Sequence, residues 1–137
     1  MARVLGAGRK FLIREQRGQA LVEFAIVAGV IFIPLVFGII EFGRLIWAKN
    51  MVTAAAREGA RYAIVRGSSN GFTLTTADVS TYVTGRTKIA PINVTAAWAG
   101  AHQPGDVVTV TVSYAYTPVV RVIPSKTVTG TSKQVVW

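Results

Sequence analysis

The chain contains no cysteine, so neither disulfides nor thiolate metal sites are available to it, and its compartment cannot be read from redox chemistry. Histidine is reduced to His102, close to Pro104, and a lone histidine in a loop is ordinarily a surface residue rather than a catalytic base. Acids are scarce, with six Asp and Glu against fifteen Lys and Arg. Of these, Glu15 falls in a basic leader, and Glu23 and Glu41 flank an apolar run. Asp78 and Asp106 have no helical or hairpin spacing that would make them a general acid and base. GxGxxG, the P-loop and H-E-x-x-H are all missing. These absences argue against an enzyme and imply no metal and no cofactor.

The formal charge of +9 suggests nucleic acid until it is divided along the chain. Met1 to Gly18 holds Arg3, Arg9, Lys10, Arg14 and Arg17 against Glu15. The remainder carries ten basic and five acidic residues, a net of +5. Those ten are spread from Arg44 to Lys133 without an aromatic-interleaved patch, so neither a basic footprint nor a stacking platform is present. Nucleic acid is not an expected partner.

Charge is absent altogether from Phe24 to Ile40, seventeen residues. At helical rise these span about 26 Å, slightly less than the roughly 30 Å of a bilayer's hydrocarbon core. Counting Gln19 to Val22 completes the span and draws Glu23 to the lipid edge, where a carboxylate is costly unless protonated or paired. Glu23 and Glu41 are eighteen residues apart, five helical turns, and so project from one face of an ideal helix. Glu41 either marks the end of the span at the headgroups or joins Glu23 in meeting a partner. The basic leader keeps the N-terminus on the cytoplasmic side. A secretory signal peptide fits less well, because the apolar run exceeds the usual 7 to 15 residues and no A-x-A pattern follows.

These residues carry a resemblance. Gly18-Gln19-Ala20-Leu21-Val22-Glu23-Phe24 resembles the prepilin-peptidase site of type IV pilins. The blocks GIIEFGR (Gly38 to Arg44) and AAAREGARYA (Ala54 to Ala63) resemble the TadE-like pseudopilins of the tight-adherence pilus. The resemblance covers roughly residues 17 to 67, and more loosely VTVTVSYAYTP (Val108 to Pro118). It implies cleavage after Gly18, Gln19 as the new N-terminus, and Glu23 as the acid that pairs a neighbouring subunit's N-terminal amine. Phe24 and Glu41 join Glu23 as candidate assembly residues.

Past the span, Arg44 to about Arg66 is alanine-rich and free of proline, which predicts a helix that continues beyond the lipid. Pro34 lies in its middle and predicts a kink. The small pairs Ala25/Gly29 and Ala55/Gly59 permit close helix approach. Glu58 and Arg61, at i, i+3, read as a surface ion pair.

Gly67-Ser68-Ser69-Asn70-Gly71 breaks the helical half from the rest. Thr75 and Asp78 form a loose capping box ahead of a short helix, about Thr76 to Arg86. Ile92 to Trp98 and Val108 to Tyr116 alternate apolar and polar residues, predicting strands in an antiparallel hairpin across a long loop, Ala99 to Gly105. A last strand near Thr127 to Val136 extends the sheet, which the emerging helix covers. The loop PVVRVIP, Pro118 to Pro124, is expected to pack into the core.

The expected fold class is therefore α+β, pilin-like: a leader (1–18), a transmembrane and extended helix (19–66) and an extracytoplasmic domain with a small antiparallel sheet (67–137). The function expected is that of a pilin-like structural protein of a tight-adherence-type pilus, in the bacterial inner membrane. Its partners would be membrane lipid, other pilin-like subunits and a prepilin peptidase. An uncleaved single-pass accessory subunit of another membrane complex is the alternative.

Overall fold

The computed structural model describes residues 5–67, 74–100, 103–120 and 123–137, with side chains from residue 18 onward. The class is α+β, as expected from the sequence. A helix α1 (Leu5–Gly67) and a helix α2 (Thr76–Arg86) precede three strands, β1 (Ile92–Trp98), β2 (Val107–Tyr116) and β3 (Lys126–Val135). The chain divides into two compact units, one ending at Ile40 and one comprising Glu41–Trp137.

In the first unit α1 continues through Pro34. From Gly18 to Ile40 its side chains are almost all exposed, among them Leu21, Phe24, Ile31, Phe32 and Ile39. Among the described residues it is the one helix long and apolar enough to cross a membrane, with a mean hydropathy of 2.6 in its most apolar window. An uncovered apolar cylinder of this length is stable in lipid or against other helices, not in water.

The second unit is built on the later half of α1. Glu41, Ala48, Val52, Ala55, Ala56, Gly59, Ala60 and Ala63 are buried at spacings of three, four and seven, a single stripe of the helix. Short side chains let the sheet and α2 approach closely. A Cβ on Gly59 would lie 2.8 Å from Val83 Cγ2 and 3.2 Å from Val110 Cγ1, and one on Gly130 would lie 2.6 Å from the Val52 carbonyl oxygen. The small pair Ala55/Gly59 thus serves packing within the chain.

The start of α2 is set by Thr75, whose hydroxyl accepts from the Asp78 amide while the Asp78 carboxylate accepts from the Thr75 amide, a complete capping box. Val79 and Val83, one turn apart, are buried against the rest of the core.

The sheet is antiparallel, with order β1-β2-β3. Val94 faces Val112 across β1 and β2, and Val112 faces Gly130 across β2 and β3. Val108, Val110 and Val112 are fully buried, whereas Thr95, Thr129 and Thr131, on the opposite face, are exposed. The hairpin between β1 and β2 closes on Asp106, whose carboxylate accepts from the Gln103 amide at 2.9 Å, and on Gly105, whose φ of +97° suits glycine.

Two expectations are corrected. Glu58 pairs with Arg86 at 3.0 Å rather than with Arg61, because α2 folds back beside α1 and brings in a residue 28 positions away. Two apolar residues of the Pro118–Pro124 loop are not core: Val119 is 64% and Ile123 46% exposed, while Val120 is half-buried. Residues 121 and 122 of that loop lie outside the described residues, as do His102 and the Ser68–Gly71 part of the predicted break.

Candidate functional site

Gly18, Gln19, Glu23 and Phe24 sit together on two turns of α1, and each is exposed. A helix presents such residues without enclosing them, so the segment offers an accessible backbone at Gly18 and a carboxylate one turn further on. Phe24 is among the most exposed apolar side chains, at 72%. This stretch holds an acid and an aromatic available to another molecule, and nothing resembling a catalytic arrangement.

Glu41 stands in a different environment, one the sequence did not reveal. Its side chain is buried within the second unit, where the Tyr116 hydroxyl and the Val119 amide both donate to the carboxylate, the latter at 3.2 Å. The Arg44 guanidinium lies 3.5 Å from the same carboxylate and 5.6 Å from the Tyr116 ring centroid. Burial, reinforced by the hydrogen bond to Glu41, pushes the Tyr116 hydroxyl above its ordinary pKa, so it remains a donor. The end of β2 is thereby fastened to the residue that follows the apolar run. Glu41 continues the buried stripe of α1 at i−7 from Ala48, and that register is the signal that could have placed it.

A second cluster joins α1 to α2. The Tyr62 and Tyr82 rings stack at 3.9 Å between centroids and 11° between planes, with Arg66 5.3 Å from the Tyr62 centroid and Arg86 5.3 Å from that of Tyr82. The Tyr82 hydroxyl donates to Glu58 at 3.0 Å, and that bond raises the phenol's pKa. Each component has a partner inside the cluster, which ties helix to helix.

The model of the family described as TadE-like protein matches residues 18–61, about a third of the chain. This segment is TadE-like. The match begins at Gly18 and spans the apolar run, Glu41 and the alanine-rich stretch that carries the core stripe. No curated protein and no solved structure matches the chain. The TadE-like family is one of pilin-like proteins associated with the tight-adherence pilus. Such a family is structural rather than enzymatic. The long apolar helix fits a single-pass membrane protein.

Proposed function

We propose that this chain is a pilin-like structural subunit of a tight-adherence-type pilus, held in the bacterial inner membrane by α1 and assembled through it. The observation that carries the reading is the conjunction at Gly18–Phe24. A prepilin-peptidase-like site opens the apolar helix at the first residue of the TadE-like match, and every side chain in it is exposed. The basic leader supports a cytoplasmic N-terminus, which puts the sheet unit on the outer side. In this reading a prepilin peptidase cuts after Gly18, Gln19 becomes the N-terminus, and Glu23 and Phe24 contact neighbouring pilin-like subunits. Glu41 serves assembly indirectly, by holding together the fold of the Glu41–Trp137 unit.

Processing is the direct test. Intact mass of the protein from membranes that contain the peptidase should correspond to a chain beginning at Gln19, and Gly18→Ala should accumulate at the mass that includes Met1–Gly18. Equal masses with and without the peptidase would remove the processed-pilin reading in favour of an uncleaved single-pass accessory subunit.

A further inference from the structure

Among the described residues of the Glu41–Trp137 unit, eight large apolar side chains are exposed, and five of them lie in the two segments that the Glu41 hydrogen bonds join. Phe42, Ile46 and Trp47 occupy the first two turns after Glu41, and Val119 and Ile123 occupy the loop between β2 and β3. The loop leaves the sheet at Tyr116 and returns at Lys126, and these two residues face each other across the β2–β3 ladder. That end of the sheet is the one fastened to Glu41, through the Tyr116 hydroxyl and the Val119 amide. The exposed Val119 is therefore held beside the residue that follows Ile40, the last of the uncharged run.

The charges around it are of one sign. Arg44, Lys49 and Lys126 are all exposed; Arg44 shares the buried Glu41 carboxylate and Lys49 donates to the Thr129 carbonyl, each from an exposed side chain. Leu45, Ile46, Lys49, Lys126 and Val128 line a groove of about 350 Å³ between α1 and the start of β3, apolar on its walls and basic at its rim. At 1.5 Å per residue, Phe42 and Ile46 lie about 3 and 9 Å past Ile40 along the helix. Each polar layer of a bilayer is about 5–8 Å deep, so these residues fall in or close to it. Tryptophan just outside an apolar span is typical of that layer, as are lysine and arginine whose stems lie in apolar surroundings while their heads meet phosphate.

We infer that this collar, with Val119 and Ile123 at its outer edge, seats the sheet unit in the headgroup layer of an anionic phospholipid bilayer. The inference rests on the reading that α1 crosses the membrane. The basic rim meets lipid phosphates, and Val119 and Ile123 dip toward the acyl boundary. Glu41 keeps the loop from swinging away. A subunit seated in this way waits in the membrane with its sheet unit against the lipid, and leaving the bilayer exposes the same collar to whatever replaces lipid.

The chain has no native cysteine, so single probes are straightforward. The full chain is reconstituted in nanodiscs of phosphatidylcholine with or without phosphatidylglycerol. An environment-sensitive fluorophore is placed in turn on Val119→Cys, Ile123→Cys, Gln103→Cys and Ile31→Cys. Gln103 belongs to the hairpin at the other end of the sheet, and Ile31 lies in the middle of the apolar run. With phosphatidylglycerol present, the probes at 119 and 123 should be blue-shifted and quenched by shallow spin-labelled lipid at least threefold more than the probe at 103. Without it, that difference should shrink. Quenching at 119 and 123 no greater than at 103, while the probe at 31 is quenched by deep spin-labelled lipid, overturns the seat and leaves the membrane span standing. A probe at 31 that escapes lipid quenchers overturns both. Equal quenching with and without phosphatidylglycerol overturns the anionic selectivity.

Discussion

Gly130 is the residue at which a single methyl group has the clearest consequence. A Cβ there would meet the Val52 carbonyl oxygen at 2.6 Å and the Thr53 amide nitrogen at 2.7 Å, and helix backbone cannot rotate aside as a side chain can. Gly130→Ala must push β3 off α1, an overpacking cost of about 3 kcal/mol or more. In a unit of this size that lowers the melting temperature by roughly 10 °C or more. Gly59→Ala is a contrasting case, since its close neighbours are the side-chain methyls of Val83 and Val110 and the helix itself gains about 0.5–1 kcal/mol from alanine. Its melting temperature should fall less. Thermal unfolding of both variants, followed by near-ultraviolet circular dichroism, orders them; Gly130→Ala melting with the wild type would mean that β3 does not touch the helix backbone.

At the scale of elements, those whose cues are local were legible in the sequence. Thr75 and Asp78 announce the start of α2, and the alternation of Val108, Val110 and Val112 with threonines announces β2. What escaped depends on partners far along the chain. Glu41 reads as the boundary of an apolar run, yet the tyrosine that buries it is 75 residues away. Glu58 reads as the partner of Arg61 one turn on, but α2 supplies Arg86 and Tyr82 instead. Loop 118–124 reads as core by hydropathy alone, whereas Val119 and Ile123 are exposed. The capping box of α2 gives a prediction at the same scale. Hydrogen bonds from Thr75 hold the Asp78 carboxyl below its ordinary value of 3.8, so the native state favours the ionised form. A depressed native pKa contributes stability that is present above the unfolded pKa and lost as pH falls through the native one. Between about pH 5 and pH 3, Asp78→Asn should therefore lose less melting temperature than the wild type does. Thr75→Ala should cost about 1 kcal/mol at neutral pH, and denaturant titration measures it. Parallel acid profiles for Asp78→Asn and the wild type would count against the box.

For the whole molecule, the proposed reading gives the two carboxylates that bound the apolar run different tasks, assembly for Glu23 and folding for Glu41. Glu23 is exposed, and a carboxylate at the lipid edge calls for a compensating cation from another molecule. On the proposed processing, a neighbouring subunit's α-amine, freed by cleavage before Gln19, would have the right charge and depth. Glu41 is the reverse, buried and bonded to Tyr116 and Val119. The neutral isosteres separate the two. Glu23→Gln should insert normally and leave the unfolding of the sheet unit unchanged, while filament incorporation, or cross-linking between neighbouring helices, falls sharply. Glu41→Gln places an amide donor where two donors converge, so the sheet unit should melt several degrees lower, with a smaller direct effect on assembly when tested well below that melting temperature. Tyr116→Phe, which removes one of those donors, should lower the melting temperature in the same direction. If Glu23→Gln assembles as well as the wild type, the acid acts in recognition by the peptidase and not in pairing subunits.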